Sequence, residues 1–232
     1  RDQRAADILA GYVERMSGAR LPVVHGATAV PEGMTPVYIG ASVPEEMRAL
    51  IQEHGDDPES FILKVDGSGV WVSGLERGAG TRHGVFEILG QLGCRWFAPG
   101  DLHTVIPERE TLRLKAQENI EVPSFRMRST RWSRGSPQWY MANRESVYSR
   151  PLGRHGMPPL GRFDEDNPEL YGVDQDGEYW GKRGVYNVGN PDTVEAVVDH
   201  IVKKFEDNPD MEHYIYSTGT HDHGDIDYSE ES

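Results

Sequence analysis

The sequence predicts an α/β fold, and three observations carry that prediction. The 21 residues from Gly80 to Gly100 read as one unit: helix start, amphipathic helix, glycine stop and short aromatic strand. Two apolar runs, Phe61–Val65 and Val70–Ser73, flank Asp66-Gly67-Ser68-Gly69, a turn composition that joins antiparallel strands. Over residues 1 to about 117, segments with a helical apolar period alternate with short apolar runs, the pattern of helices packed on a sheet.

The elements follow in order. Residues 1 to about 17 form a helix with Ile8, Leu9, Tyr12, Val13 and Met16 on one face, and Gly18 stops it. Leu21–Val24 and Pro36–Gly40 are expected as strands. Ser42 is placed to cap the next helix, with Glu45 as capping-box partner, and Gly55 ends that helix. The hairpin 61–73 comes next. In the Gly80 helix, Thr81 is placed to cap the first turn through its hydroxyl. Val85, Ile88, Leu89 and Leu92 fall at i, i+3, i+4 and i+7. Gly93 takes the left-handed stop position. Cys94, Trp96 and Phe97 continue as a strand that Pro99 and Gly100 close. The expected core is Val85, Leu89, Leu92, Trp96 and Phe97. Thr111–Leu114 is a last short strand.

Residues 118–124, ENIEVPS, read as a linker, so a boundary is expected after residue 117. Phe125–Trp132 reads as a fresh strand and Trp139–Val147 as its helix. From Ser149 to Gly189 the chain is rich in Gly, Pro and charge without a clear period, a loop long enough to favour a functional or rim role. Asp192 is placed to cap a helix reaching Phe205, whose apolar side is Val194, Val197, Val198, Ile201 and Phe205. Met211–Thr218 is a strand, and an acidic tail follows.

Composition narrows the function classes. A net charge of -14 repels nucleic acid and anionic membrane surfaces, so neither is expected as a partner. Mean hydropathy is -0.62, and no apolar run approaches the roughly 20 residues of a membrane span. A single cysteine, Cys94, forms no internal disulfide. The chain starts at Arg1 rather than Met and reads as a mature or trimmed product, which leaves secretion open. The glycines of Gly78–Gly84 do not make a phosphate loop, because no Gly-Lys-Ser/Thr follows them.

Gly80, Thr81, Gly84, Phe86, Leu89, Gly93, Cys94, Arg95, Trp96, Phe97, Pro99 and Gly100 together resemble the small α/β domain that precedes the catalytic barrel in bacterial β-hexosaminidases and α-glucuronidases. They are more similar still to an uncharacterised family of predicted bacterial glycosidases built on that plan. Further segments extend the resemblance: Pro123-Ser124-Phe125 with Arg128, Asn167-Pro168-Glu169-Leu170-Tyr171, Gly181-Lys182-Arg183, Asn190-Pro191-Asp192-Thr193-Val194, and, loosely, Ser217 to Asp222. The cysteine cluster that usually follows in the family is replaced here by Asp225-Ile226-Asp227-Tyr228-Ser229-Glu230.

The resemblance implies a small α/β sandwich domain (1–117) followed by a partial (β/α) barrel (118–232). A complete barrel takes about 250 residues, so only the opening strands fit into the roughly 110 after the linker. It implies part of a glycoside hydrolase acting extracellularly or in the periplasm on a polysaccharide or glycoconjugate of amino or uronic sugars, without a cofactor. A non-catalytic carbohydrate-binding or accessory domain is the alternative.

Glycoside hydrolysis needs two carboxyl groups, one acid and one base or nucleophile. Asp222 and Asp225 follow the last strand and are the catalytic candidates; the same residues also fit a solvated acidic tail. Arg128 and Arg131 suit sugar hydroxyls because a guanidinium donates to two oxygens at once. Trp132 and Trp180 offer stacking faces, and His155 a hydroxyl contact. His221, Asp222, His223, Asp225, Asp227 and Glu230 include metal-ligand types, but no established loop motif fits them and no metal is expected.

Overall fold

The computed structural model describes residues 2–26, 29–55, 57–76, 78–125, 128, 137–146, 166–179 and 185–208, and the backbone of 151–152 and 215–216. The chain forms two compact units, Arg1–Val147 and Tyr148–Ser232.

The first unit is built on a four-stranded mixed sheet in the order β1-β3-β2-β6. Its strands are β1 (Val37–Ile39), β2 (Phe61–Asp66), β3 (Gly69–Gly74) and β6 (Gln117–Glu121). β1 runs parallel to β3, with Val37 beside Val70 and Ile39 beside Val72. β2 pairs antiparallel with β3 and with β6, setting Leu63 opposite Val72 and Asn119. The hairpin turn is held as its composition predicts: Asp66 Oδ1 accepts the Ser68 N–H at 2.8 Å.

Phe61, Ile62 and Leu63 are successively buried, so both sheet faces are covered along β2. Helix α3 (Gly80–Gln91) lies on the face of Phe61 and Val72, and α1 (Asp2–Ser17) packs on α3. Helix α2 (Glu45–His54) packs on β2, β3 and β6, over the opposite face that carries Ile62 and Ser73.

Glycine sets how closely α3 sits. A Cβ on Gly84 would lie 2.3 Å from Val72 Cγ2, one on Gly80 1.8 Å from the Ser60 carbonyl oxygen, and one on Gly78 1.6 Å from the Pro58 carbonyl oxygen. That Pro58 carbonyl accepts the Ala79 N–H at 2.9 Å. Thr81 does not cap the helix as expected. It lies inside α3, and its Oγ1 accepts the Gly74 N–H at 2.9 Å, joining the end of β3 to the helix. The predicted apolar stripe is present, but α3 is also buried at Thr81, His83 and Phe86, because the sheet lies on one side and α1 and α4 (Pro137–Ala142) on the other.

Several expectations change. Leu21–Val24 is no strand and is exposed, Val24 at 63%. Pro22 lacks an N–H, and the Ser42 hydroxyl occupies both backbone polar groups of Ile39, at 3.0 and 2.8 Å, so the β1 edge offers little to pair with. Ser42 thus belongs to a 3₁₀ turn, Gly40–Ser42, and Pro44 stands at the N-cap of α2. Thr111–Leu114 is irregular, whereas the first part of the expected linker 118–124 belongs to edge strand β6, Gln117–Glu121. Its polar composition suits an edge. Phe125 and Arg128 lie outside any strand.

The aromatic run after α3 splits. Trp96 pairs in β4 (Arg95–Trp96) against β5 (Thr104–Val105), and its ring meets Tyr12 and Phe86 edge-on at 5.8 and 5.2 Å. Phe97, expected in the core, is 74% exposed, because β4 ends before it.

In the second unit, β7 (Pro151–Leu152) and β8 (Ile215–Tyr216) pair in parallel, with α5 (Pro191–Glu206) between them in sequence. β7 falls in the stretch expected to be irregular. Asn190, not Asp192, caps α5: its Oδ1 accepts the Asp192 N–H at 2.9 Å, with Pro191 at the first helical position. Two of the resembling segments meet here. Asn190 Nδ2 donates to the Glu169 carbonyl at 3.1 Å, and Thr193 Oγ1 to that of Leu170 at 3.3 Å.

The glycine contacts yield a paired test. Gly78→Ala and Gly80→Ala each force backbone apart and lower the urea midpoint, by roughly 1–3 kcal/mol of stability or more. Gly90 lies in the same helix with open space at its Cβ. Gly90→Ala therefore raises the midpoint, by about 0.4–1 kcal/mol. Equal effects at Gly80 and Gly90 would overturn the account.

Candidate functional site

Of the sequence-predicted site residues, Arg128 lies among the described ones. Arg131, Trp132, His155, Trp180, Asp222 and Asp225 lie outside them, as does the His221–Glu230 cluster. Around Arg128 the first unit gathers its buried charge.

The close seat of α3 brings its first turns against Pro58, Glu59 and Ser60, the residues entering β2. Glu59 is 3% exposed, and its carboxylate takes an ion pair from Arg128 Nη2. The other guanidinium nitrogens also face protein acceptors: Nε donates to the Arg144 carbonyl at 2.8 Å, and Nη1 to that of Phe125. Ser146 N–H closes the loop on the Arg128 carbonyl at 2.7 Å. A fixed fork with several acceptors in different directions is well suited to this work.

Arg144 forms the second half of the cluster. It pairs with Glu87 on α3 and with Glu121 on β6, the latter at 3.4 Å, and stands over the Phe61 ring at 5.3 Å. The intervening helix α4 is anchored through Trp96, whose carbonyl accepts from Trp139 Nε1 at 3.1 Å and from Asn143 Nδ2 at 3.2 Å. Gln138 Nε2 and Trp96 Nε1 both donate to the Tyr12 hydroxyl at 2.7 Å. Arg128 and residues 137–146 are thereby clamped to the sheet and to α3.

His83, which no motif of the sequence singles out, lies inside this cluster at 1% exposure. Its ring hydrogen-bonds the Glu59 backbone, and Nε2 has no hydrogen-bond partner among the described residues. Burial first, and the Arg128 charge second, push its pKa down to about 4. The ring therefore stays neutral at physiological pH. The signal for it was the glycine spacing: a residue between Gly80 and Gly84 is carried into the interior with them.

The cluster binds protein to protein. Its arginines are matched by carboxylates and carbonyls, which favours positional rather than proton-transfer chemistry. Burial pushes the Cys94 thiol up to about 11, which disfavours its thiolate. Among the described residues no group of three His, Cys, Asp or Glu side chains could hold a metal ion, and no helix is long and apolar enough to cross a membrane.

Two outcomes follow. Removing Glu59 leaves Arg128 partly buried without its counter-charge, so Glu59→Ala costs about 3 kcal/mol in chemical denaturation; a neutral substitution would show the pair to be inert. An unfolded His83 takes a proton below its ordinary value of 6.5, whereas the folded one resists down to about 4. Stability therefore falls as pH drops through that window, by on the order of 3 kcal/mol from this residue. His83→Gln flattens the dependence; an unchanged slope between pH 7 and 4 would refute it.

Comparison of the chain with family models, with curated proteins and with solved structures finds no match.

Proposed function

We propose that this chain is part of a glycoside hydrolase acting on a polysaccharide or glycoconjugate with amino or uronic sugars, its mixed α/β unit preceding the opening of a (β/α) barrel. One observation carries the reading beyond resemblance: β7 and β8 are parallel neighbours with α5 between them in sequence, the repeating βαβ unit of such barrels. The first unit is a mixed α/β unit with a glycine-seated helix, the general class of domain that the reading calls for.

On this reading Asp222 and Asp225, which follow β8 in sequence, supply the acid and the base or nucleophile that flank a glycosidic oxygen. The sugar contacts that this reading assigns are Arg131, Trp132, His155 and Trp180, a fork donor, two stacking faces and a hydroxyl partner. Arg128 is not counted among them, since its guanidinium is turned to Glu59 and backbone carbonyls. Two carboxyl groups and a water complete the reaction, so no cofactor is needed. A polymeric substrate places the work outside the cytoplasm, extracellularly or in the periplasm, and the acidic chain disfavours nucleic acid and anionic membrane. The second reading, a non-catalytic carbohydrate-binding or accessory domain, draws on the same Arg128 geometry: a guanidinium that holds protein together need not serve a reaction.

The readings separate by assay. Intact protein is tested against aryl hexosaminides and glucuronides and against polysaccharide. A hydrolase releases the aryl group, and Asp222→Asn or Asp225→Asn lowers kcat by about 10²–10⁴-fold with little change in KM. Retained polysaccharide binding with no hydrolysis of any substrate establishes the accessory reading; neither binding nor hydrolysis would sink both.

A further inference from the structure

The glycosidase reading leaves half of one sheet face unused. Residues paired directly across neighbouring strands share a face. Tyr38 on β1 pairs with Trp71 on β3, Trp71 with Lys64 on β2, and Lys64 with Glu118 on β6. These four residues form one row across the whole sheet, three strand spacings or about 14 Å long. On the same face Ile62 and Ser73 are buried where α2 packs. The row lies beyond them: Tyr38, Trp71 and Lys64 are half-buried and Glu118 is exposed.

Two kinds of group make up the row. The Tyr38 and Trp71 rings are nearly parallel, 19° apart in plane, with centroids 5.6 Å apart. Beside them Lys64 Nζ donates to Glu118 at 3.0 Å. An ammonium has further N–H donors and a carboxylate a second oxygen, so the pair still offers both donor and acceptor to a ligand. Among the described residues neither the Tyr38 hydroxyl nor the Trp71 indole N–H makes a hydrogen bond. Asp66, two residues from Lys64, is turned into the hairpin turn, where it accepts from Ser68. With one cation against Glu118 and Asp66, the row has no positive excess, which a phosphate backbone would need.

A ligand that fits has an apolar face for the rings and a rim that both donates and accepts. A pyranose has both, its C–H groups on one face and its hydroxyls around the edge. We propose that the row of Tyr38, Trp71, Lys64 and Glu118 is a carbohydrate-binding platform. A sugar ring stacks on the two aromatics, and hydroxyls of the next sugar bond to Lys64 and Glu118. The platform takes its ligand class from the carbohydrate reading above and makes no use of Asp222 or Asp225, so it retains a chain rather than cleaving it.

The test is calorimetric titration of the intact protein with chitohexaose, with a galacturonate hexamer and with oligouridylate. Saturable binding of one of the two oligosaccharides is expected. Trp71→Ala weakens it about tenfold and Tyr38→Ala about threefold. Phe97→Ala, which removes an exposed aromatic outside the row, leaves it unchanged. Trp71→Phe keeps a smaller stacking face, weakens binding about threefold, and decides if an alanine variant fails to fold. No saturable binding of either oligosaccharide overturns the proposal. So does binding that the Trp71 substitutions leave unchanged, or binding of oligouridylate in place of the sugars. Aryl glycoside hydrolysis on the same samples reports on the glycosidase reading separately: hydrolysis without oligosaccharide binding overturns the platform and leaves that reading standing.

Discussion

The close contact between α3 and the β2–β3 hairpin is the constraint on which the first unit depends. Gly78, Gly80 and Gly84 remove the side chains that would meet Pro58, Ser60 and Val72, and Thr81 ties the helix back to Gly74. Dispersion falls off within fractions of an ångström, so the helix either reaches the sheet here or loses much of its contact energy. Everything on α3 inherits its position from this seat. His83 is carried in beside Glu59, Glu87 is presented to Arg144, and Arg82 is set at the carboxyl ends of β1 and β3.

The same contact explains why Arg128 lies where it does. Glu59 is buried by the approach of α3, and a buried carboxylate requires a counter-charge and donors. Arg128, 69 residues further along, supplies both. Its remaining donors gather the Phe125 and Arg144 carbonyls, and the segment closes on itself through Ser146. Charge buried by one helix thus gathers the carbonyls of Phe125 and Arg144 around one guanidinium.

What could be read from the sequence follows from the range of the interactions. The Asp66–Gly69 turn and the periods of α1 and α3 are set by residues a few positions apart, and they are present. β6 was illegible because an edge strand buries little: Gln117–Glu121 offers Ile120 as its apolar residue. The Leu21–Val24 run has strand composition, yet Pro22 lacks an N–H to donate and the segment stays exposed and unpaired in any sheet. Phe97 was assigned inward by continuity with Trp96, whereas β4 stops one residue earlier. At the polar cluster Arg128 was visible as an arginine but not as a partner of Glu59, since no local pattern encodes a pairing across 69 residues. The Asn167–Tyr171 and Asn190–Val194 segments, separate features of the sequence, prove to be two sides of one hydrogen-bonded contact.

The Ser42 hydroxyl on Ile39 reaches beyond the geometry of one turn. Sheets end somewhere, and an open end is a template for any extended chain that drifts past. At β1 a single oxygen occupies the amide and the carbonyl of Ile39, while β6 carries charge at the opposite edge in Glu118 and Glu121. The exposed, apolar Leu21–Val24 segment belongs to the same unit as this guarded edge. In a crowded solution it is the kind of segment that would add to an open strand of a neighbouring molecule. Ser42 thus takes one amide and one carbonyl out of the row that an edge strand would otherwise present to another chain.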